Sequence, residues 1–130
     1  MRILVFGSRD FDDDDIVFKT LEALLGWSTE DRGMIIIEGG ATGADRLGAL
    51  VATFYNTDHE TYKADWDKYG YAAGMVRNKQ MLDSGLDLAY GFINKPLEQS
   101  KGSYGMAEML RKAKVKTYII REYKWIKYKT

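Results

Sequence analysis

Cysteine is absent from this chain of 130 residues, and histidine and proline occur once each. Without cysteine the chain has no disulfide, thiol nucleophile or thiolate metal ligand, and one histidine cannot build a histidine-based zinc cluster. No apolar run approaches the roughly 20 residues of a membrane-spanning helix, and residues 2–6 are too short and wrongly flanked for a signal peptide. We therefore expect a cytoplasmic protein with no metal site and no cofactor.

The composition is that of one folded domain. Apolar residues make up 45% of the chain and charged residues 29%, which is enough apolar material for one core and too much for a disordered segment. The length also suits one domain, since domains commonly contain roughly 100–150 residues. We predict a single domain over residues 1–130, with a core at residues 1–121 and an extension at residues 122–130.

The net charge of zero hides an asymmetry along the chain. Residues 111–130 contain eight Lys or Arg and one acidic residue, whereas residues 1–110 contain eleven and eighteen. The basic end also carries Tyr123, Trp125 and Tyr128, a combination that can bind phosphates and stack on bases. A solvated strand that contacts a second subunit explains the same pattern, and we favour this homo-oligomer contact over single-stranded nucleic-acid binding.

Buried-strand patterns alternate with helical patterns along the chain. Glycines follow the first two apolar runs, and apolar residues at helical spacing follow each glycine turn. This alternation predicts an α/β fold with a parallel sheet covered by helices on both faces. Strands are predicted at residues 2–6, 34–38, 59–63, 86–93 and 115–121, with helices at 12–25, 47–54, 72–82 and 104–113 and an added strand or arm at 123–128.

The loop after the first strand contains Gly7, Ser8 and Arg9. Ligands of open α/β sheets bind beyond the carboxyl ends of the strands, so this loop is a candidate binding segment. Arg9 can bind a phosphate through two hydrogen bonds. A surface arginine that pairs with the aspartates at residues 12–15 is the alternative.

The loop after the second strand is rich in glycine. Gly39, Gly40 and Gly43 allow a ligand to approach the backbone, and the following helix supplies unpaired N–H groups for an anion. Thr42 and Asp45 also resemble a capping box, which is a purely structural explanation for those two residues. The segment matches neither a Walker P-loop nor the Rossmann GxGxxG fingerprint.

Two later segments complete the candidate site. Trp66 is placed to stack on a base, and Arg77 and Asn78 supply a charge and an amide, although a loop tryptophan is often an anchor for its loop. Lys101, Gly102 and Ser103 precede a helix and form a second candidate phosphate nest, in which Ser103 alternatively caps the helix.

Taken together, these motifs resemble the small prokaryotic and phage proteins of the SLOG superfamily, of the YspA-like kind. The resemblance extends through most of the chain to residue 113. It is carried by Gly7-Ser8-Arg9-Asp10-Phe11, Gly39-Gly40-Ala41-Thr42-Gly43-Ala44-Asp45, Ala64-Asp65-Trp66, Tyr69-Gly70, Ala73-Gly74, Arg77-Asn78 and Met81.

The resemblance implies a Rossmann-like fold with strand order 3-2-1-4-5 and a site for a nucleotide or a relative of ADP-ribose or NAD. We expect a sensor or sequestering protein, in which Arg9 and Arg77 bind phosphate, Asp45 accepts ribose hydroxyls and Trp66 faces the base. The superfamily also includes Smf-type DNA-processing proteins and LONELY GUY phosphoribohydrolases, so membership alone leaves the function open.

An enzymatic function remains an alternative. The phosphoribohydrolases carry an Arg-x-x-x-Met element, which Arg77 and Met81 match, and a glycine-rich element that ends in glutamate. Here Met106 stands at the position of that glutamate. Cleavage of a glycosidic bond needs a carboxylate near the oxocarbenium-like transition state, so this loss weakens the N-glycosidase interpretation unless Asp45 or Asp10 substitutes.

Overall fold

The computed structural model describes residues 1–25 and 33–121, in which strands and helices alternate along the chain. The predicted extension at residues 122–130, with its strand or arm at 123–128, lies outside the described residues. The strands are β1 (Arg2–Gly7), β2 (Ile35–Glu38), β3 (Asp58–Thr61), β4 (Leu88–Ile93) and β5 (Lys116–Arg121). The helices are α1 (Asp14–Leu25), α2 (Ala44–Phe54), α3 (Trp66–Tyr69), α4 (Ala73–Asp83) and α5 (Lys101–Lys112), with 3₁₀ turns at Gly70–Ala72 and Leu97–Gln99.

The five strands form one sheet in the order β3-β2-β1-β4-β5, and every neighbouring pair is parallel. β1 is central, with Leu4 paired to Ile37 on one side and to Ala89 on the other. The predicted Rossmann-like fold and its strand order are therefore confirmed. Because all strands point the same way, β1, β2 and β4 end at the same edge of the sheet.

The alternation of side chains along β1 divides the core into two layers. Ile3 and Val5 pack with Val17 and Leu21 of α1 and with Val51 of α2 on one face. Leu4 and Phe6 lie in the other layer, which contains Met81 of α4 and Met106 and Leu110 of α5. Two helices thus cover each face, and the second pair brings α4 and α5 beside the end of β1.

Three helices differ from the sequence-based prediction by more than two residues. Residues 66–69 form the short helix α3, whose start is stabilised because Asp65 Oδ1 accepts a hydrogen bond from the Lys68 N–H at 3.1 Å. Helices α2 and α5 begin at Ala44 and Lys101, each three residues before the predicted starts at residues 47 and 104. No helix of the described residues is both long enough and apolar enough to cross a membrane.

Candidate functional site

A cleft of about 540 Å³ opens at the carboxyl edge of the sheet, beside the end of β1. We call it the main cleft. Its apolar floor consists of Phe6, Met81 and Met106, all of which are buried. Its other lining residues are polar or small: Gly7, Ser8, Arg9, Asp10, Ala41, Asp45, Arg77, Asn78, Lys95, Gln99, Ser100, Lys101, Gly102 and Ser103.

Charge in the main cleft is predominantly positive. Four cationic side chains line it, from the loop after β1, from α4, from the loop after β4 and from the start of α5: Arg9, Arg77, Lys95 and Lys101. Asp10 and Asp45 are the acidic side chains of the same lining. This balance favours an anionic ligand, because opposite charges attract most strongly where the walls of a cleft exclude water.

The first turn of α5 adds backbone donors to this edge of the cleft. Ser100 is the N-cap residue and makes no side-chain cap, so its side chain does not satisfy the first N–H groups of the helix. The alternative in which Ser103 caps the helix is wrong, because Ser103 lies inside the first turn and is buried. Lys101, Gly102 and Ser103 all line the main cleft, where a helix N-terminus suits an anion.

Arg77 is held in place by two hydrogen bonds. Its Nη1 donates to the Gly39 carbonyl at 2.6 Å, and its Nε donates to Asn78 Oδ1 at 2.9 Å. Burial lowers the pKa of the guanidinium, and the Asp45 carboxylate opposes this effect, but an arginine stays charged in proteins. Arg77 is therefore a fixed cation between α4 and the loop at residues 39–43 after β2, which we call the glycine loop.

Asp45 is buried beside Arg77, at the start of α2. Its Oδ2 accepts hydrogen bonds from the Gly39 N–H at 3.0 Å and the Ala41 N–H at 3.3 Å. Burial raises the pKa of Asp45 to about 6, although the backbone bonds and Arg77 lower it. Gly39 makes this arrangement possible, because a Cβ there would overlap Arg77 Nη1 and lie 2.9 Å from Asp45 Oδ2.

A second buried carboxylate, Glu38, was not predicted from the sequence as a site residue. Its Oε1 accepts a hydrogen bond from the Gly40 N–H at 2.7 Å, and its Oε2 accepts one from the Thr61 hydroxyl. Glu38 thus joins the glycine loop to β3, and its charge contributes to the raised pKa of Asp45. The signal was a glutamate at the end of an apolar strand, directly before the paired glycines.

A second cleft of about 430 Å³ adjoins the first, and we call it the side cleft. Trp66 lines this cleft and is absent from the described lining of the main cleft. Arg9, Ala41 and Arg77 line both clefts, whereas Gly39, Gly40, Thr42, Lys63, Ala64 and Trp66 line the side cleft. Apart from Gly43, the predicted site residues are therefore distributed over two adjoining clefts.

Gly43 lines neither of these clefts in the described part of the chain. Its φ is 74°, and a Cβ at this position would overlap the Ser8 carbonyl oxygen, so glycine lets α2 begin against the loop after β1. Gly43 is also the N-cap of α2, and the Thr42 hydroxyl instead donates to the Arg9 carbonyl at 2.9 Å. The capping-box interpretation of Thr42 and Asp45 is therefore wrong.

Comparison with known proteins agrees with these motifs. The family model YAcAr, the YspA, cpYpsA-related SLOG family, matches residues 1–69. The Gene 61 protein of Mycobacterium phage D29 is 33% identical over 107 residues, which cover 78% of this chain and 82% of the phage protein. The chain belongs to the YspA, cpYpsA-related SLOG family. No solved structure gives a significant match.

The residues matched by the SLOG family model contain one part of the site. They include the loop after β1, the glycine loop with Asp45, and Trp66. Arg77 and the start of α5 lie beyond the matched residues. The fold joins these later segments to the SLOG motifs, since Arg77 binds the Gly39 carbonyl and Lys101 lines the same cleft as Arg9.

Proposed function

We propose that this protein binds a nucleotide, or a nucleotide-derived molecule related to ADP-ribose or NAD, as a sensor or sequestering protein. The observation that supports this most strongly is the convergence of four cationic side chains and the first turn of α5 on the main cleft. Membership of the SLOG family agrees with a nucleotide-related ligand or a glycosidase-like role.

Phosphate is the anionic group that best suits this lining. Arg77 is already ordered by Gly39 and Asn78, so binding a phosphate through its remaining N–H groups costs little side-chain entropy. Arg9 is exposed at the mouth of the cleft and supplies the second guanidinium. Hydrogen bonds of this charged kind contribute roughly 1.5–3 kcal/mol each.

Asp45 is proposed to accept a ribose hydroxyl. Its Oδ2 already receives two backbone hydrogen bonds, so Oδ1 is the oxygen available for the ligand. With a pKa of about 6 the carboxyl is mainly ionised at neutral pH, so both of its oxygens are hydrogen-bond acceptors.

The test is binding of a nucleotide panel, first by thermal shift and then by calorimetry. A ligand that binds only the folded state raises the melting temperature. Arg9→Ala should weaken binding by roughly tenfold or more, because it removes a charged donor. Arg46→Ala is the matched control, since Arg46 is an exposed arginine at the start of α2 that lines neither described cleft. A flat response of folded protein to every nucleotide would refute the proposal.

One observation favours an N-glycosidase as the second candidate. Asp45 is a buried carboxyl with a pKa of about 6, and Asp10 lines the same cleft. A raised carboxyl pKa suits general acid–base work near neutral pH. Against this candidate, Met106 is buried in the floor of the cleft, and Glu108 is ion-paired to Arg111 at 2.7 Å and does not line it.

A further inference from the structure

We propose that the side cleft is a second ligand subsite, so that the bound molecule carries an internal diphosphate with one arm in each cleft. This inference rests on the proposed function. It adds the position of the phosphates, which would lie in the middle of the ligand and not at its end.

The evidence is the position of the two arginines. Arg9 and Arg77 line both clefts, so these two arginines lie where the clefts meet. A phosphate bound there has open space on both sides, since the clefts measure about 540 Å³ and about 430 Å³. Each volume falls within the roughly 300–1,000 Å³ of small-molecule pockets. A ligand with a terminal phosphate on these arginines would leave one cleft empty.

The linings of the two clefts indicate which arm each accepts. Trp66 in the side cleft is 52% exposed, and its ring is carried on α3, which Asp65 caps. An exposed indole on a fixed element is a stacking surface for a flat ring. In the main cleft, the aromatic side chain among the described lining residues is Phe6, which lies buried in the floor.

The main cleft therefore suits a sugar-like arm. Besides its four cations, its lining carries hydroxyl, amide and carboxylate groups, among them Ser103, Asn78 and Asp45. These groups match the hydroxyls of a ribose in donor and acceptor character. The predicted ligand class is thus an aromatic nucleoside joined by a diphosphate to a second polyhydroxylated group.

Three probes separate the arms in calorimetry on the full chain: ADP-ribose carries both arms, AMP carries the ring arm, and ribose 5-phosphate carries the sugar arm. Trp66→Ala should weaken ADP-ribose and AMP about tenfold, the size of a base–aromatic stack, and leave ribose 5-phosphate unchanged. Tyr71→Ala is the matched control, because Tyr71 is a fully exposed aromatic residue that lines neither cleft.

A second variant tests whether the sugar arm binds in the main cleft, by adding a side chain where the protein itself has room for it. A Cβ at Gly102 would meet no atom within 4 Å, so Gly102→Leu adds bulk to the lining while the helix tolerates it. It should weaken ADP-ribose and ribose 5-phosphate at least fivefold and weaken AMP less than either.

The outcomes distinguish the two proposals. If ADP-ribose binds but Trp66→Ala has no effect, the second subsite is refuted while nucleotide binding stands. If Trp66→Ala and Gly102→Leu weaken AMP equally, one pocket holds the whole ligand and the inference also fails. If no probe and no nucleotide of the panel binds the folded protein, both proposals are refuted.

Discussion

Replacement of Asp45 by asparagine should remove the part of the pH dependence of the unfolding free energy that comes from the Asp45 carboxyl. The buried carboxyl has a pKa of about 6 in the folded chain, against an ordinary value of 3.8. Between these pH values the folded state holds a proton on Asp45 that the unfolded state has released. The contribution of the protonated Asp45 carboxyl to the unfolding free energy is therefore fully present below pH 3.8. It is lost as the pH rises through about 6.

The size of the effect follows from the same two values. Each pKa unit corresponds to about 1.4 kcal/mol, so the rise from 3.8 to about 6 costs the folded protein about 3 kcal/mol above pH 6. This is a large share of the roughly 5–15 kcal/mol that holds a typical domain folded. Such a cost is reasonable for a group to which we assign a role in ligand binding.

The assay is urea unfolding of the unmodified protein and of Asp45→Asn at several pH values from 4 to 7. Other carboxyl groups titrate in this range, so the readout is the difference in unfolding free energy between the two proteins. We expect the unmodified protein to lose about 2.4 kcal/mol relative to Asp45→Asn over this range, because the rest of the roughly 3 kcal/mol is lost below pH 4. Asp67→Asn is the control for loss of one exposed carboxylate. The reasoning would be refuted if this difference in unfolding free energy does not change with pH, or if rising pH stabilises the unmodified protein relative to Asp45→Asn.

Four further predictions concern the site and the basic end of the chain. Arg77→Ala should weaken nucleotide binding by roughly 1.5–3 kcal/mol in calorimetry, and unchanged affinity would remove Arg77 from the site. The protein should release no free base from AMP at an enzyme-like rate, because Met106 replaces the expected glutamate; base release that Arg77→Ala abolishes would establish the glycosidase. Gly43→Ala should lower the melting temperature by several degrees, since its Cβ would overlap the Ser8 carbonyl; an unchanged value would contradict the close approach. Removal of residues 124–130 should leave nucleotide affinity intact and give a smaller assembly in light scattering, whereas loss of a salt-sensitive affinity for single-stranded DNA would identify a nucleic-acid arm.

The candidate site was partly predictable because its loops belong to a regular alternation. Gly7 and Gly39 follow apolar runs that end at one edge of a parallel sheet, so their proximity followed from the fold class. The role of Glu38 could not be predicted from the sequence, because a glutamate at the end of a strand can have either an exposed or a buried side chain. Residues 66–69 were also misjudged as a loop, because one helical turn is too short for a periodic pattern.

The sequence by itself determined the parallel α/β fold and the loops that carry the candidate ligand-binding residues. Hydrophobic periodicity and glycine positions are local properties, and they are sufficient for those two conclusions. Only the tertiary structure decided that Arg77 binds a carbonyl 38 residues earlier, that Asp45 is buried beside it, and that Trp66 lines a separate cleft. These facts depend on the directions and spacing of side chains from distant segments, which the packing of α4 and α2 around the glycine loop determines.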